Sequence, residues 1–455
     1  MINHNSEEIQ SSISKFERML KTNLIYYFDL QEFEDIVIHY LGFGENQIAK
    51  KALKMGLEQH PTSHALMLLQ SEIFILDQKY DLAINLLDYI EKSNPYDEEI
   101  TLQRASIASK KGDHKLSIKY LHQALNISDD PYEIWNLLGM EHLLAEEYED
   151  ASCFFKNCLE SNNEDFSSLY NLLFCYEQLK LVEPAISSLN QILENDPYCE
   201  VAWLQLGKIY SKEEKTKEAI SAFEFAIICD DTFTSAYIEK GKLLEKNGKI
   251  NEALESYNFA LNTSEPSAFI YKCIGRCHEF LGNYGLTKEF YLESVRLEPN
   301  NEKCWKSLIS FMISQNDFDK AEHYLKNAIE ANSDSLDLWR ASIELYISIE
   351  KKENAVLAFE KLIKLGSCDP VIFLNLIDYL IENKSWQRAY NIFNEAYKLL
   401  KNNRDIEIRV AGCCFQLGKI QEGKYFLNYK ELNSNRKNQF NRLFPDFRNL
   451  SSSFD

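Results

Sequence analysis

The sequence predicts an all-α fold, a right-handed solenoid of about twelve helix-turn-helix repeats with a cap helix at each end. Two observations predict it. A spacing of 34 residues recurs along nearly the whole chain, and helix formers dominate, with only 9 prolines and 15 glycines among 455 residues. Hydrophobic residues make up 45% of the chain and charged residues 26%, so a sizeable core can coexist with a polar surface.

The 34-residue spacing is described by frames that start at residues 30, 64, 98, 132, 166, 200, 234, 268, 302, 336, 370 and 404. We call a residue's position within its frame its place, counted from 1. Place 20 is small in all twelve frames and is alanine in nine of them, while place 24 is always large and apolar or aromatic. Residues three and four apart share a helix face, so places 4, 7, 8 and 11 predict one helix and places 20, 24 and 27 a second.

Glycine and proline mark the predicted helix ends. Five frames carry glycine at place 15, which suits a left-handed residue that ends the first helix. These are Gly44, Gly112, Gly248, Gly282 and Gly418. Eight of the nine prolines also fall near predicted helix ends, where a missing N–H does little harm.

We divide the chain into an N-terminal cap helix (1–29), a repeat array (30–430), and a C-terminal cap helix with a frayed tail (431–455). One helix pair cannot bury its apolar face alone, so neighbouring pairs stack and the two ends need covers. Phe440 and Phe444 are expected to form the apolar face of the C-terminal cap. About 25 residues lie outside the array at each end, so we expect no separate catalytic domain.

Two segments match the two halves of a known repeat. The segment VAWLQLGKIY fits W-x-x-L-G-x-x-Y, and EAISAFEFA fits A-x-x-x-F-x-x-A. The matching residues are Trp203, Leu206, Gly207, Tyr210, Ala219, Phe223 and Ala226. The pattern resembles the tetratricopeptide repeat, which we interpret as a bacterial-type array covering residues 30 to about 430. The resemblance implies a non-catalytic scaffold or adaptor that binds a peptide or protein segment along a concave groove lined by the first helices.

Two other functions stay open as alternatives. One is a regulatory or targeting subunit of an enzyme complex, and the other is a helical repeat that reads RNA. The net charge of -21 and the lack of a recurring polar pair argue against nucleic acid. The N-terminus lacks the pattern of a secretory signal, and no window is apolar enough to span a membrane, so we expect a cytoplasmic protein with its 11 cysteines reduced.

Motifs that carry chemistry are missing from the sequence. It contains no Gly-rich phosphate loop and no G-x-S-x-G, H-E-x-x-H or C-x-x-C motif, so we expect no catalytic residue, no cofactor and no bound metal. Cys273, Cys277 and His278 lie about one helical turn apart, but their core spacing favours packed thiols and a buried histidine. Cys153 and Cys158 are likewise expected to be small core residues.

Places 2, 5, 9, 12 and 13 of the first helices lie roughly opposite the core places, and we call this surface the stripe. Between residues 200 and 369 the stripe holds nine basic residues: Lys208, Lys212, Lys242, Lys246, Lys272, Arg276, Lys303, Lys306 and Arg340. It holds four acids there: Glu245, Glu279, Asp337 and Glu344. Between residues 30 and 199 it holds Lys110, five acids and a set of apolar residues that includes Leu68, Ile75, Leu76, Leu102, Met140, Leu143, Leu144, Tyr170 and Phe174.

The two halves of the stripe predict a partner with an acidic stretch and an apolar stretch, held by charge pairing and by burial. The alternative is a solvated face on which lysine is simply common. The candidate peptide-binding residues are Lys208, Lys242, Lys272, Arg276, Lys306, Arg340, Asn136, Tyr170 and Phe174.

Overall fold

The computed structural model describes residues 2–22, 26–263, 265–366, 370–399, 403–427 and 434–447. These ranges contain 26 helices and no β-strand, which confirms the all-α prediction. The predictions for residues 428–433, and for the frayed tail from residue 448 onward, lie outside the described residues. None of the helices in the described ranges combines the length and the apolar character needed to cross a bilayer.

The first helix of every repeat begins at place 1 and ends at place 13. These helices are α2 (Leu30–Gly42), α4 (His64–Leu76), α6 (Glu98–Lys110), α8 (Tyr132–Leu144), α10 (Phe166–Gln178), α12 (Glu200–Lys212), α14 (Thr234–Lys246), α16 (Ala268–Phe280), α18 (Glu302–Ser314), α20 (Leu336–Ser348), α22 (Pro370–Glu382) and α24 (Arg404–Gln416). The spacing read from the sequence therefore sets the helix register without a slip.

The second helix of every repeat begins at place 17. These helices are α3 (Asn46–Gln59), α5 (Tyr80–Glu91), α7 (His114–Leu125), α9 (Tyr148–Ser161), α11 (Val182–Asn195), α13 (Thr216–Cys229), α15 (Ile250–Thr263), α17 (Tyr284–Leu297), α19 (Phe318–Ala331), α21 (Lys352–Lys364), α23 (Trp386–Leu399) and α25 (Ile420–Leu427). Two further helices, α1 (Ile2–Thr22) and α26 (Ser434–Leu443), precede and follow the repeats.

The turn between the two helices of a repeat is the same in all twelve repeats. Every residue at place 15 has a positive φ, between 56° at Glu350 and 78° at Gly112. The N–H at place 16 then donates to the carbonyl at place 11, as in the 2.8 Å bond from Lys79 to Phe74. This is the Schellman arrangement, which satisfies carbonyls at the helix end. Glycine at place 15 predicted this turn in five repeats, and non-glycine residues adopt it in the other seven.

Glycine at place 8 allows the two helices of a repeat to touch. A Cβ atom added to Gly207 would lie 2.5 Å from the ring of Phe223 at place 24, and one added to Gly241 would lie 2.6 Å from Tyr257. Such distances are far below van der Waals contact, so only glycine fits against these rings without a shift. Ala219 at place 20 is completely buried, as its small size predicts.

The first helices are buried over more of their circumference than the sequence spacing indicates. Ile134 and Ile270 at place 3, and Ile107 and Phe311 at place 10, are at most 3% exposed. The cause is that a first helix contacts its own second helix, the preceding second helix and the next first helix, as α16 contacts α17, α15 and α18. One prediction for a second helix is wrong: Cys153 is exposed and does not belong to the core.

The chain divides into two compact units, unit 1 (Met1–Ala202) and unit 2 (Trp203–Asp455). In unit 1, Phe16 of α1 is fully buried, and its ring centroid lies 6.2 Å from that of Phe28. In unit 2, Phe444 beyond α26 packs on α24 so tightly that a Cβ atom on Gly412 would lie 2.1 Å from its ring. Each terminal helix thus covers apolar surface within its own unit.

Candidate functional site

The nine basic residues of the stripe lie in unit 2, and the structure leaves all of them accessible to solvent. Lys208, Lys272 and Arg276 are partly exposed, and the other six are exposed. The reason is local, because places 3, 7, 8, 10 and 11 take the buried faces of the first helices and leave the lysines and arginines at places 2, 5, 9 and 13 outside. The side chains are therefore at the surface where binding requires them.

Two of these lysines share one aromatic ring. The Nζ atoms of Lys242 and Lys272 lie 5.0 Å and 5.1 Å from the centroid of the Phe269 ring. Lys242 belongs to α14, whereas Phe269 and Lys272 belong to α16, so the arrangement connects neighbouring repeats. We call these three residues the cradle. An ammonium group at such a distance from a ring face is attracted to it, so the ring holds both charges in place.

The cradle offers positive charge that the protein only partly neutralises. Lys242 forms an ion pair of 2.9 Å with Glu239 on its own helix. Lys272 forms no ion pair with any residue that the structure describes. Phe269 was not among the sequence-based candidates, although its location at place 2 of the stripe was a usable signal. Its apolar ring between two ammonium groups suits a side chain or segment that is both acidic and apolar.

Arg276 has a different role from the lysines of the cradle. Its Nη2 atom donates a 2.7 Å hydrogen bond to Oε2 of Glu245, and its Nε atom donates to Oε1. The hydroxyl of Tyr257 also donates to Glu245, at 3.0 Å. The hydrogen bond to Glu245 raises the pKa of Arg276, and burial raises the pKa of Tyr257. Arg276 therefore joins α16 to α14, and its charge is already matched within the protein.

The remaining basic candidates are less concentrated. Arg340 lies 3.7 Å from Asp337 on the same helix. Lys306 lines an open cavity of about 750 Å³ together with Glu298 and Asp337, so acidic groups lie beside it. Lys208 forms no ion pair within the described part of the chain. The cradle is thus the place where positive charge and apolar surface come together.

The apolar candidates lie in unit 1. Tyr170 is 47% exposed and Phe174 is 43% exposed, and the Phe174 ring packs edge-on against Tyr148 at 6.2 Å. The Asn136 amide donates a 3.4 Å hydrogen bond to Ser168 Oγ, so this side chain is engaged by the next repeat. One expectation is wrong, since Ile75 is only 4% exposed and belongs to the core.

Cys273, Cys277 and His278 lie close together on α16, outside the stripe. Cys273 and Cys277 are fully buried, and burial raises the pKa of Cys277 to about 12. Burial lowers the pKa of His278, whose ring stacks on Phe290 at 5.4 Å. The two thiols are therefore core groups, as expected, whereas His278 is only partly buried and the expectation of a buried histidine is wrong. All ten cysteines in the described residues are free thiols.

One group in unit 1 has the composition of a metal site. The potential ligand atoms of His142, Glu147 and Asp150 all lie within 4.8 Å of one another. His142 Nδ1 and Glu147 Oε2 are 2.8 Å apart. The equivalent pair of another repeat, His278 and Asn283, makes the same contact at 3.3 Å with an amide in place of the carboxylate. The contact therefore follows from the repeated turn geometry.

Comparisons with known proteins agree with the repeat register. A family model described as tetratricopeptide repeat matches residues 313–370, and a second with the same description matches residues 99–131 and 201–227. The chain is 22% identical over 407 residues to the BBSome complex member BBS4 of Bos taurus, covering 86% of this chain and 78% of that protein. It is 24% identical over 140 residues to anaphase-promoting complex subunit 3 of Schizosaccharomyces pombe, covering 31% of this chain and 21% of that protein.

Solved structures with similar folds include the Cut9–Hcn1 hetero-tetramer of the anaphase-promoting complex, with a TM-score of 0.37, 15% identity, and coverage of 90% of this chain and 94% of that one. They also include YrrB, described as a TPR protein with an unusual peptide-binding site, with a TM-score of 0.33, 16% identity, and coverage of 41% and 96%. The matches at 99–131 and 201–227 each cover one helix pair of the 34-residue register, and the match at 313–370 covers α19, α20 and α21. Residues 99–131, 201–227 and 313–370 therefore match tetratricopeptide repeats, and the other helix pairs of the described residues follow the same 34-residue register.

Proposed function

We propose that the chain is a protein-interaction scaffold without catalytic activity of its own, that it acts in the cytoplasm, and that it binds an acidic segment of a partner protein on the stripe of unit 2. The observation that carries this proposal is the cradle. In it, the ammonium groups of Lys242 and Lys272 lie 5.0 Å and 5.1 Å from the centroid of the Phe269 ring. Charge and apolar surface at one point favour a segment that carries both.

The overall charge sharpens this preference. The chain has a net charge of -21, so an acidic segment is repelled by most of its surface. The same charge makes nucleic acid an unsuitable partner. Within the stripe of residues 200–369, nine basic residues face four acids, a difference of +5. A partner's acidic segment is therefore drawn to this surface and away from the rest of the protein.

The stripe of unit 1 supports a second, apolar contact. Tyr170 and Phe174 expose close to half of their surfaces and so offer area that a partner side chain can bury. The two curated relatives are named as members of multiprotein complexes. Assembly into a complex by holding a partner segment is the role that we extend to this chain.

The proposal is tested with fluorescein-labelled 15-residue peptides of matched length that carry acidic, neutral or basic stretches next to one Leu-Phe pair. Fluorescence anisotropy with the full chain measures the affinities. We expect the acidic peptides to bind best, and Lys242→Glu with Lys272→Glu to weaken them by about 10-fold or more. Loss of binding should leave the helical content unchanged, because neither lysine is buried.

The matched control reverses two exposed lysines of α7, Lys115→Glu with Lys119→Glu, which makes the same change in net charge outside the stripe. We expect this control to bind within about 2-fold of the unmodified chain. Equal weakening by both double variants would show that only overall charge matters. Failure of every acidic peptide to bind would also contradict the proposal.

A further inference from the structure

Unit 2 carries an apolar surface on its second helices, separate from the stripe. Ile228 on α13 is 72% exposed and Phe259 on α15 is 56% exposed. Between them lies an open cavity of about 680 Å³ whose apolar lining includes Ile227, Tyr237 and Leu244. We call this cavity the outer groove. Its floor comes from α14, and its two walls come from the second helices of consecutive repeats.

The exposed side chains of the outer groove depart from the repeat pattern. Ile228 occupies place 29, which is polar or charged in ten of the other eleven repeats. Phe259 occupies place 26, where seven other repeats carry Gln, Asn, Glu or Lys. Packing within the repeats does not require large apolar residues at these places, since the polar residues elsewhere serve equally well. Exposed apolar groups that the fold does not need indicate an interaction surface.

The aromatic ring in the groove wall is held in a fixed position. Phe259 stacks on Tyr237 with ring centroids 5.6 Å apart and an angle of 21° between the planes. The equivalent rings of the preceding repeat, Trp203 and Phe225, stack at 4.7 Å. A ring that is already ordered loses little conformational entropy when a partner covers it, so binding is favoured.

The polar rim of the outer groove is acidic. Three lining carboxylates face two lysines, and Glu224 pairs with Lys240 at 2.8 Å while Glu252 pairs with Lys249 at 3.0 Å. Glu255 forms no ion pair within the described part of the chain and lies one helical turn before Phe259. An occupant therefore gains by presenting a basic residue to Glu255 beside its apolar contacts.

The walls of the outer groove also favour one backbone conformation of the occupant, which is helical. They are helices, so they offer no open strand edge to pair with an extended peptide. A helical occupant satisfies its own backbone N–H and C=O groups and brings side chains at i, i+3, i+4 and i+7 to one face. We propose that the outer groove binds an amphipathic helix of a partner protein, with leucine-type anchors in the cavity and Lys or Arg beside Glu255. This surface is independent of the cradle.

The test uses a labelled 18-residue amphipathic peptide of leucine and lysine, and fluorescence anisotropy with the full chain at moderate salt. We expect Ile228→Ser with Phe259→Ser to weaken binding by about 10-fold or more, because two anchoring contacts are lost. The control is Leu82→Ser with Leu357→Ser, two leucines on α5 and α21 that are 51% and 57% exposed. It should bind within about 2-fold of the unmodified chain.

A second pair of measurements isolates the charge of the rim. Replacing the lysines of the peptide by glutamate should abolish binding, and Glu255→Lys should weaken the lysine peptide several-fold. The chain attracts basic peptides everywhere through its charge of -21, so the difference between the groove variant and the control is the decisive quantity. Equal affinities of these two variants, or no binding of the lysine peptide at about 100 μM, would overturn the proposal.

Discussion

The stripes of the two units differ in how their side chains are used. In unit 2, Arg276 is tied to Glu245, and Lys242 is paired with Glu239 while it packs on Phe269. In unit 1, Tyr170 and Phe174 leave almost half of their surfaces to solvent. Arg276 and Lys242 are thus paired with neighbouring carboxylates, whereas Lys208 and Lys272 form no ion pair with the residues that the structure describes. A count of charges therefore overstates the number of cations available for binding, because some of them are already paired within the protein.

The comparison separates residues that brace the fold from residues that are available to a partner. Arg276, Glu245 and Tyr257 form one network across α14, α15 and α16, and Glu245 is only 11% exposed. A nearly buried carboxylate that loses its cation is costly, so this network contributes to stability. In unit 1, almost half of the surfaces of Tyr170 and Phe174 is available to a partner.

The largest expected effect comes from removing the cation of this network. Arg276→Met leaves the Glu245 carboxylate without its partner and should lower the free energy of unfolding of unit 2 by about 1–3 kcal/mol, less than for a fully buried pair because the guanidinium is partly exposed. Urea unfolding, with hydrogen exchange resolved to α14 and α16, measures it. Phe174→Ser in unit 1 is the matched change and should stay within about 0.5 kcal/mol. If both variants lost the same free energy of unfolding, the two stripes would not differ in their contribution to stability.

Salt should separate the stripes by their mode of binding. An acidic peptide held by Lys242 and Lys272 should bind several-fold more weakly when the salt concentration is raised from about 0.05 M to about 0.3 M, because the Debye length shortens. A neutral peptide of leucine and phenylalanine that binds at Tyr170 and Phe174 should keep its affinity, because burial of apolar surface is not screened. Titrations at both concentrations decide this. The same salt response for both peptides would contradict the assignment.

A smaller effect isolates the hydroxyl group of the network. Tyr257→Phe removes one donor to Glu245 and should cost about 0.5–1.5 kcal/mol. Tyr170→Phe in the stripe of unit 1 removes a hydroxyl that forms no hydrogen bond with the described residues, and it should change the free energy of unfolding by less than about 0.3 kcal/mol. Both variants are compared by urea unfolding. If Tyr170→Phe lowered the free energy of unfolding as much as Tyr257→Phe does, the hydrogen bond from Tyr257 to Glu245 would make no special contribution to stability.

The smallest effect is a pH dependence in unit 1. Burial and the neighbouring Asp35 raise the pKa of Glu34 above its usual 4.5, so the native state holds this proton more tightly than the unfolded chain. The ionised form therefore destabilises the native state at neutral pH, and this cost disappears as the pH falls through the raised pKa and below 4.5. Glu34→Gln should add a few tenths of a kcal/mol at about pH 7 and nothing at about pH 4. Thermal melts at both values check it, and a gain that persists at acid pH would contradict it.

Much of the fold was predictable because the same residue types recur at the same places in all twelve frames. Places 4, 7, 8 and 11 predicted the first helix of each repeat, and the small residue at place 20 with the large one at place 24 predicted the second. Gly241 marked where Tyr257 approaches the first helix. The place-15 turn was visible only where glycine marks it. At Lys384 and Glu350 the hydrogen bonds of the turn hold a positive φ that the residue type does not suggest.

The candidate site was less predictable for a physical reason. The place numbers predict that Lys242, Lys272 and Arg276 lie on one surface. They do not predict which of these side chains contact each other or their neighbours. That depends on the separation of neighbouring first helices and on the rotamers that packing allows. The prediction from the sequence therefore grouped Arg276 with the lysines, although the structure shows that Arg276 pairs with Glu245. The prediction also did not include Phe269 among the candidate binding residues.

By itself the sequence determined the helix register, the small-against-large packing inside each repeat, and the turn in the five repeats with glycine at place 15, because these depend on residues within one frame of 34. Only the tertiary structure decided what happens between frames. It buried places 3 and 10, united Lys242, Phe269 and Lys272 in the cradle, and opened the outer groove between Ile228 and Phe259. Contacts between repeats join residues about 30 positions apart, and their geometry follows from the angle and distance at which whole helices pack.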